Sequence, residues 1–191
     1  MKANKFKNYG IMKTYVITLS QNFPAKHPRK GEPTLFADKV QEALNYVKYH
    51  GIDGMKPTKR AKIHTMRTNW SLWSKRFMKI YEGKACLSLR VWSGKPYHSK
   101  QIEIARLTKE NGIGIQPAYI EEMQFLGNDE IEVSLRIVGG YDSRHIKEDP
   151  IIDGRAIAAN DGLVLRDWLP FFKGHNFMEP LAIIHFTPFR Y

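Results

Sequence analysis

Only one cysteine, Cys86, stands in 191 residues, so the chain can form no internal disulfide. Its setting, Ala85-Cys86-Leu87-Ser88-Leu89, is apolar and reads as a buried structural thiol rather than a nucleophile. Long apolar runs are missing as well; none reaches the ~18 residues that a bilayer crossing needs. Residues 1–11 carry lysines but no apolar stretch of the kind a secretion leader has. These absences point to the cytoplasm and away from the membrane. The seven histidines are scattered, with no pair at zinc-ligand spacing and no cysteine cluster, so neither a metal nor a cofactor is expected. His185, between Ile184 and Phe186, reads as a satisfied interior or barrel-lining histidine rather than a base. No Gly-x-Ser-x-Gly elbow occurs, which argues against a serine hydrolase. Gly112-Ile113-Gly114 lacks the third glycine and the strand-turn-helix setting of a phosphate loop.

Acidic residues are scarce in the first part of the chain. Residues 1–110 hold 23 Lys/Arg against 7 Asp/Glu, whereas residues 111–191 hold 7 against 12. The basic part is interleaved with Trp70, Trp73, Tyr81, Trp92 and Tyr97. Such a balance suits a polyanion, through phosphate neutralisation and base stacking. With 42% hydrophobic and 12% aromatic residues, the chain has the material for one folded core.

Periodicity predicts about six strands and four helices. Residues 1–11 are expected to be a disordered basic extension, followed by one domain over 12–191. Alternating or apolar runs mark strands at 14–19, 85–92, 100–107, 130–138 and 181–186, the last apolar enough to be central. Residues 115–126 are compatible with strand or loop. Thr34 is placed to cap a helix carrying Phe36, Val40, Ala43, Leu44 and Val47, which Gly51 ends. Asn69 or Ser71 starts a second helix, with Trp70, Trp73, Phe77, Ile80 and Tyr81 on one stripe. Asp153 caps a short helix to Asn160, and Leu163 to Phe172 is another helical piece. Hairpin-like spacing favours a small antiparallel or mixed β-barrel with helices packed outside it, an α+β fold.

Within this frame Lys62, Thr65 and Arg67 form a K-x-x-T-x-R pattern. In an extended segment Thr65 and Arg67 share a face, and a bend brings Lys62 towards Thr65. The three supply an ammonium, a hydroxyl and a guanidinium, groups that hold a phosphate or a polar base edge. The plainer reading is an exposed strand edge guarded by cations. A second pattern, Ala158-Ala159-Asn160-Asp161-Gly162-Leu163, precedes the late helix.

The order of these elements and both motifs resembles the ASCH domain, a branch of the PUA-like superfamily, over roughly residues 34–187. That family carries G-x-K-x-x-T-x-R after its first helix and an A-x-x-E-G-[FM]-like motif before a late one. Lys62, Thr65 and Arg67 match the first; Ala158, Asp161 and Gly162 match the second. Arg60 stands where the family has glycine, and Asp161 is one methylene shorter than its glutamate. The helix at 68–84 and much of 108–150 are additional to a minimal member. The resemblance implies a PUA-like mixed β-barrel that binds RNA or a nucleotide in a cleft beside it. Some members are amidohydrolases that deacetylate N4-acetylcytidine; there it implies Thr65 as nucleophile, Lys62 as proton acceptor and Asp161 as the acid that orients Lys62 or shuttles protons.

Three function classes follow. The first is a binding module for RNA or a modified nucleotide, using Lys62, Thr65, Arg67 and Arg60, with Lys95 and Lys100 widening the basic face. The second is a small amidohydrolase using Thr65, Lys62 and Asp161. The third is a protein-interaction domain whose basic face is incidental.

Overall fold

The computed structural model describes residues 12–51, 61–126, 130–139, 149–176 and 178–191. The basic extension at 1–11 and Arg60 lie outside them. Alternating β-branched residues give β1 (Lys13–Thr18), and α1 (Phe36–His50) follows with Phe36, Val40 and Ala43 turned inward at helical spacing. The Lys62 motif enters β2 (His64–Arg67). Helix α2 (Trp70–Tyr81) is capped by Asn69, whose side chain accepts the Leu72 N–H, and buries Trp73, Phe77 and Ile80. Then come β3 (Ala85–Trp92), β4 (Gln101–Leu107), β5 (Gly114–Leu126), β6 (Glu130–Ile137) and β7 (Ile151–Asp153). Helices α3 (Gly154–Asn160) and α4 (Leu165–Trp168), the latter continued by a 3-10 turn to Phe172, lead to β8 (Leu181–His185).

The described residues thus hold eight strands and four α-helices, an α+β fold with two more strands than expected. They form a three-stranded sheet, β1-β3-β4, and a five-stranded sheet, β2-β8-β5-β6-β7. No closed barrel is found among the described residues. Among the described residues only β1 and β3 pair in parallel; every other ladder there is antiparallel. Residues 115–126 resolve as strand, with a register shift between Ile120 and Glu122 where the alternation breaks. No helix among the described residues is long and apolar enough to cross a membrane.

The apolar run of β8 has a topological cause. It lies between β2 and β5 with both faces covered. Ala182 and Ile184 join a core with the three-stranded sheet and α2, while Leu181 and Ile183 join a second core with α3 and α4. One expectation fails at the start of α1. Leu35, at φ 58°, holds the cap position; the Thr34 hydroxyl instead donates to the Ser20 carbonyl at 2.5 Å and accepts the Phe36 N–H at 3.4 Å. Thr34 therefore ties the helix to the chain leaving β1.

Candidate functional site

Lys62 is placed by the backbone around it. Its N–H donates to the Lys39 carbonyl at 3.0 Å, and the Ile63 N–H donates to the Asn160 carbonyl at 2.9 Å. The Ile63 carbonyl accepts the Phe186 N–H at 2.9 Å. Helix α1, the end of α3 and the residue after β8 therefore fix the segment leading into β2. The side chain that results is only 1% exposed. Its Nζ donates to Asp161 Oδ1 and, at 2.8 Å, to the Asp161 carbonyl, and it stands 4.3 Å above the Phe36 ring.

Asp161 is held from the other side. Its Oδ2 accepts the Trp168 indole N–H at 3.0 Å. Gly162 follows at φ +80°, where a Cβ would lie 3.2 Å from Lys62 Cβ and from Lys39 Cδ. A glycine at this turn lets Asp161 face Lys62 closely. Lys39 Nζ closes the turn by donating to the Gly162 carbonyl at 2.6 Å. Burial lowers the pKa of Lys62, and Asp161 partly restores it. Burial raises that of Asp161, and Lys62 partly restores it. The proton affinities of the two groups are thereby drawn together.

Thr65 and Arg67 lie on one face of β2, opposite Ile184 and Ala182. Thr65 is buried. The Arg67 guanidinium donates to the Thr18 carbonyl at 3.2 Å, so it spans from the five-stranded sheet to the three-stranded one. Burial lowers its pKa, against the opposing pull of Asp161. Among the described residues Arg67 forms no ion pair, since the carboxylate of Asp161 is engaged by Lys62. Lys62, Thr65, Arg67 and Asp161 all line one cavity of about 160 Å³, together with the rings of Phe36, Phe171 and Phe172. That space is on the order of the ~150 Å³ that accommodates one six-membered ring. Two cations face one carboxylate here, so the cavity carries an excess of positive charge.

Both sequence motifs thus meet at one place. Lys95 and Lys100 do not join them; they are exposed at the turn between β3 and β4 and line neither this cavity nor the groove next to it. Trp168, Phe36 and Phe171 are contributors that hydrophobic patterning assigns to the core. Only the separation of Trp168 from Asp161, seven residues around the α3–α4 corner, could have marked it. His185 departs from the expectation of a satisfied interior histidine. It is fully buried, and neither ring nitrogen has a hydrogen-bond partner among the described residues. Its ring lies 5.7 Å from that of His64, whose Nε2 pairs with the Tyr191 hydroxyl at 2.9 Å. The described residues hold no cluster of three metal-ligating side chains.

No family model, no curated protein and no solved structure compared with the chain matches it.

Proposed function

We propose that the chain is an ASCH-type, PUA-like module of the cytoplasm that holds a nucleobase of RNA, or a free modified nucleotide, in the cavity between β2 and the α3–α4 corner. The observation that carries this reading is the convergence of Lys62, Thr65, Arg67 and Asp161, from segments about a hundred residues apart, on a ring-sized space walled by phenylalanines. Aromatic walls take the faces of a base, Thr65 and the Lys62–Asp161 pair meet its polar edge, and Arg67 meets an adjoining phosphate. The strongly basic first 110 residues supply the long-range attraction. Arg67 joins the two sheets at Thr18.

Binding of RNA and of pyrimidine nucleotides is measured by calorimetry at several salt concentrations. Affinity is expected to fall steeply with salt. Arg67→Ala is expected to lower it about 10- to 100-fold, the loss of one charge-assisted contact. A folded Arg67→Ala variant with wild-type affinity and salt slope sinks the proposal.

A second reading, an amidohydrolase of acylated cytidines, is favoured by one feature: burial moves Lys62 towards neutrality beside a hydroxyl in the same cavity. Thr65 Oγ1 would attack the acyl carbon and give its proton to Lys62. The leaving amine would take that proton, and water would release the acid from the acyl-threonine. This reading expects acetate release from N4-acetylcytidine that disappears in Thr65→Val. Wild-type protein that releases none rules it out.

A further inference from the structure

Beside the cavity, and sharing Ser20 and Arg67 with it, runs a groove of about 680 Å³, roughly four times as large. It lies between the chain leaving β1 and the turn joining β3 to β4. Two of its rings are open to solvent in part or in full. Trp92 is half-buried, and Tyr97 is 88% exposed, with ring centroids 5.3 Å apart. Tyr97 also has φ +64°, in the left-handed region that a bulky side chain seldom enters. An exposed ring gains little packing to offset that strain, and strain of this kind gathers at ligand sites.

The turn that carries Tyr97 is held firmly. Ser93 N–H donates to the Lys100 carbonyl at 2.8 Å, and Ser99 Oγ links Gly94 N–H to the Lys95 carbonyl, each at 3.0 Å. The groove lining holds one cation, Arg67, and no carboxylate. Exposed Lys95 and Lys100 stand on the same turn. Open aromatic faces beside a cation, with two more cations on the adjoining turn, are a composition that binds single strands, where bases stack on rings and cations follow the backbone.

We propose that this groove is a second, base-stacking subsite, and that the occupant of the two spaces is a short single-stranded RNA segment. This rests on the nucleobase reading of the cavity. One base enters the cavity, the next stacks on Trp92 and Tyr97, and Arg67, common to both spaces, holds the phosphate between them. A free nucleoside would leave the groove unused.

The test compares cytidine monophosphate with a single-stranded RNA tetranucleotide, and with its DNA counterpart, by calorimetry. The tetranucleotide is expected to bind at least tenfold more tightly. Tyr97→Gly, which removes the ring and relieves the φ, and Trp92→Leu should each abolish most of that gain and leave the mononucleotide unchanged. Tyr97→Gly guards against misfolding, because its ring is exposed. A tetranucleotide that gains nothing, or that keeps its gain in both variants, overturns the groove even where the mononucleotide binds and depends on Thr65. A tetranucleotide that depends on Tyr97 while no mononucleotide binds and Thr65→Val is without effect upholds the groove and removes the nucleobase from the cavity. DNA binding as tightly as RNA overturns the choice of RNA.

Discussion

Asp161→Ala is expected to lower the melting temperature on the order of 10 °C, the equivalent of about 3–5 kcal/mol, by leaving a buried lysine uncompensated. Lys62 Nζ would keep only the carbonyl of residue 161, and the Trp168 indole N–H would lose its acceptor. Bulk water replaces neither contact readily, because Lys62 is 1% exposed and Trp168 is fully buried. Asp161→Asn keeps the shape and loses the charge, so an intermediate effect is expected. Replacing both partners, as in Lys62→Met/Asp161→Leu, should recover most of the stability, since it removes the buried charges together. That double variant should not bind ligand. Thermal melts followed by circular dichroism check all three. An Asp161→Ala protein melting within a degree or two of wild type would show that the pair is not closed from water as described.

The second large effect is a loss of stability in mild acid. His64 and His185 are buried beside each other, and both hold their protons well less tightly than the ordinary value of 6.5. Desolvation is the main cause for each; Lys62 adds to it at His64, and His64 and Arg190 add to it at His185. The folded state keeps both rings neutral, whereas the unfolded chain protonates them as pH falls through about 6.5. Their full contribution to stability is therefore present above that pH and is lost below it. The loss is about 1.4 kcal/mol per pH unit for each ring until the folded state is protonated as well. Asp161, whose pKa is raised, contributes with the opposite sign, so wild type is compared with His185→Leu. The variant should lose about half of the acid dependence. At pH 7.5 it should be at least as stable as wild type, because it deletes two ring nitrogens without partners. Urea denaturation at pH 7.5, 6.5, 5.5 and 5.0 measures this. Identical slopes for the two proteins would contradict the neutral pair.

Much of the scaffold can be read directly from periodicity. β3, β4, β6 and β8 alternate or run apolar over five to eight residues, and α1 and α2 show clean stripes, so their limits fall within a residue or two. β7 has three residues and no pattern to detect; it exists because Ile151 to Asp153 pairs with β6. β5 hides its alternation behind Pro117 and a bulge. The parallel pairing of β1 with β3 is likewise invisible in a chain whose spacing suggests hairpins, and it separates a first sheet from the second. At the site, polar residues at short spacing announce themselves, as Lys62, Thr65, Arg67 and Asp161 do. What surrounds them does not: Phe36 looks like any helix core residue, yet its ring underlies an ammonium. The same limit applies to His185, whose missing partners depend on which side chains arrive from β2 and residue 191.

The place of β8 in the sheet bears on how the molecule is made. It is the last strand in the chain and the one that joins β2 to β5. At ~5–20 residues per second, β2 leaves the ribosome on the order of 10 s before the partner it requires. Throughout that interval the β2 edge that β8 will fill stands open, joined by that of β5 once it is made, and the bond from Phe186 that helps to seat Ile63 cannot form. Nascent chains stalled short of β8 should therefore lack the cavity altogether. They would present unpaired strands to chaperones and to one another.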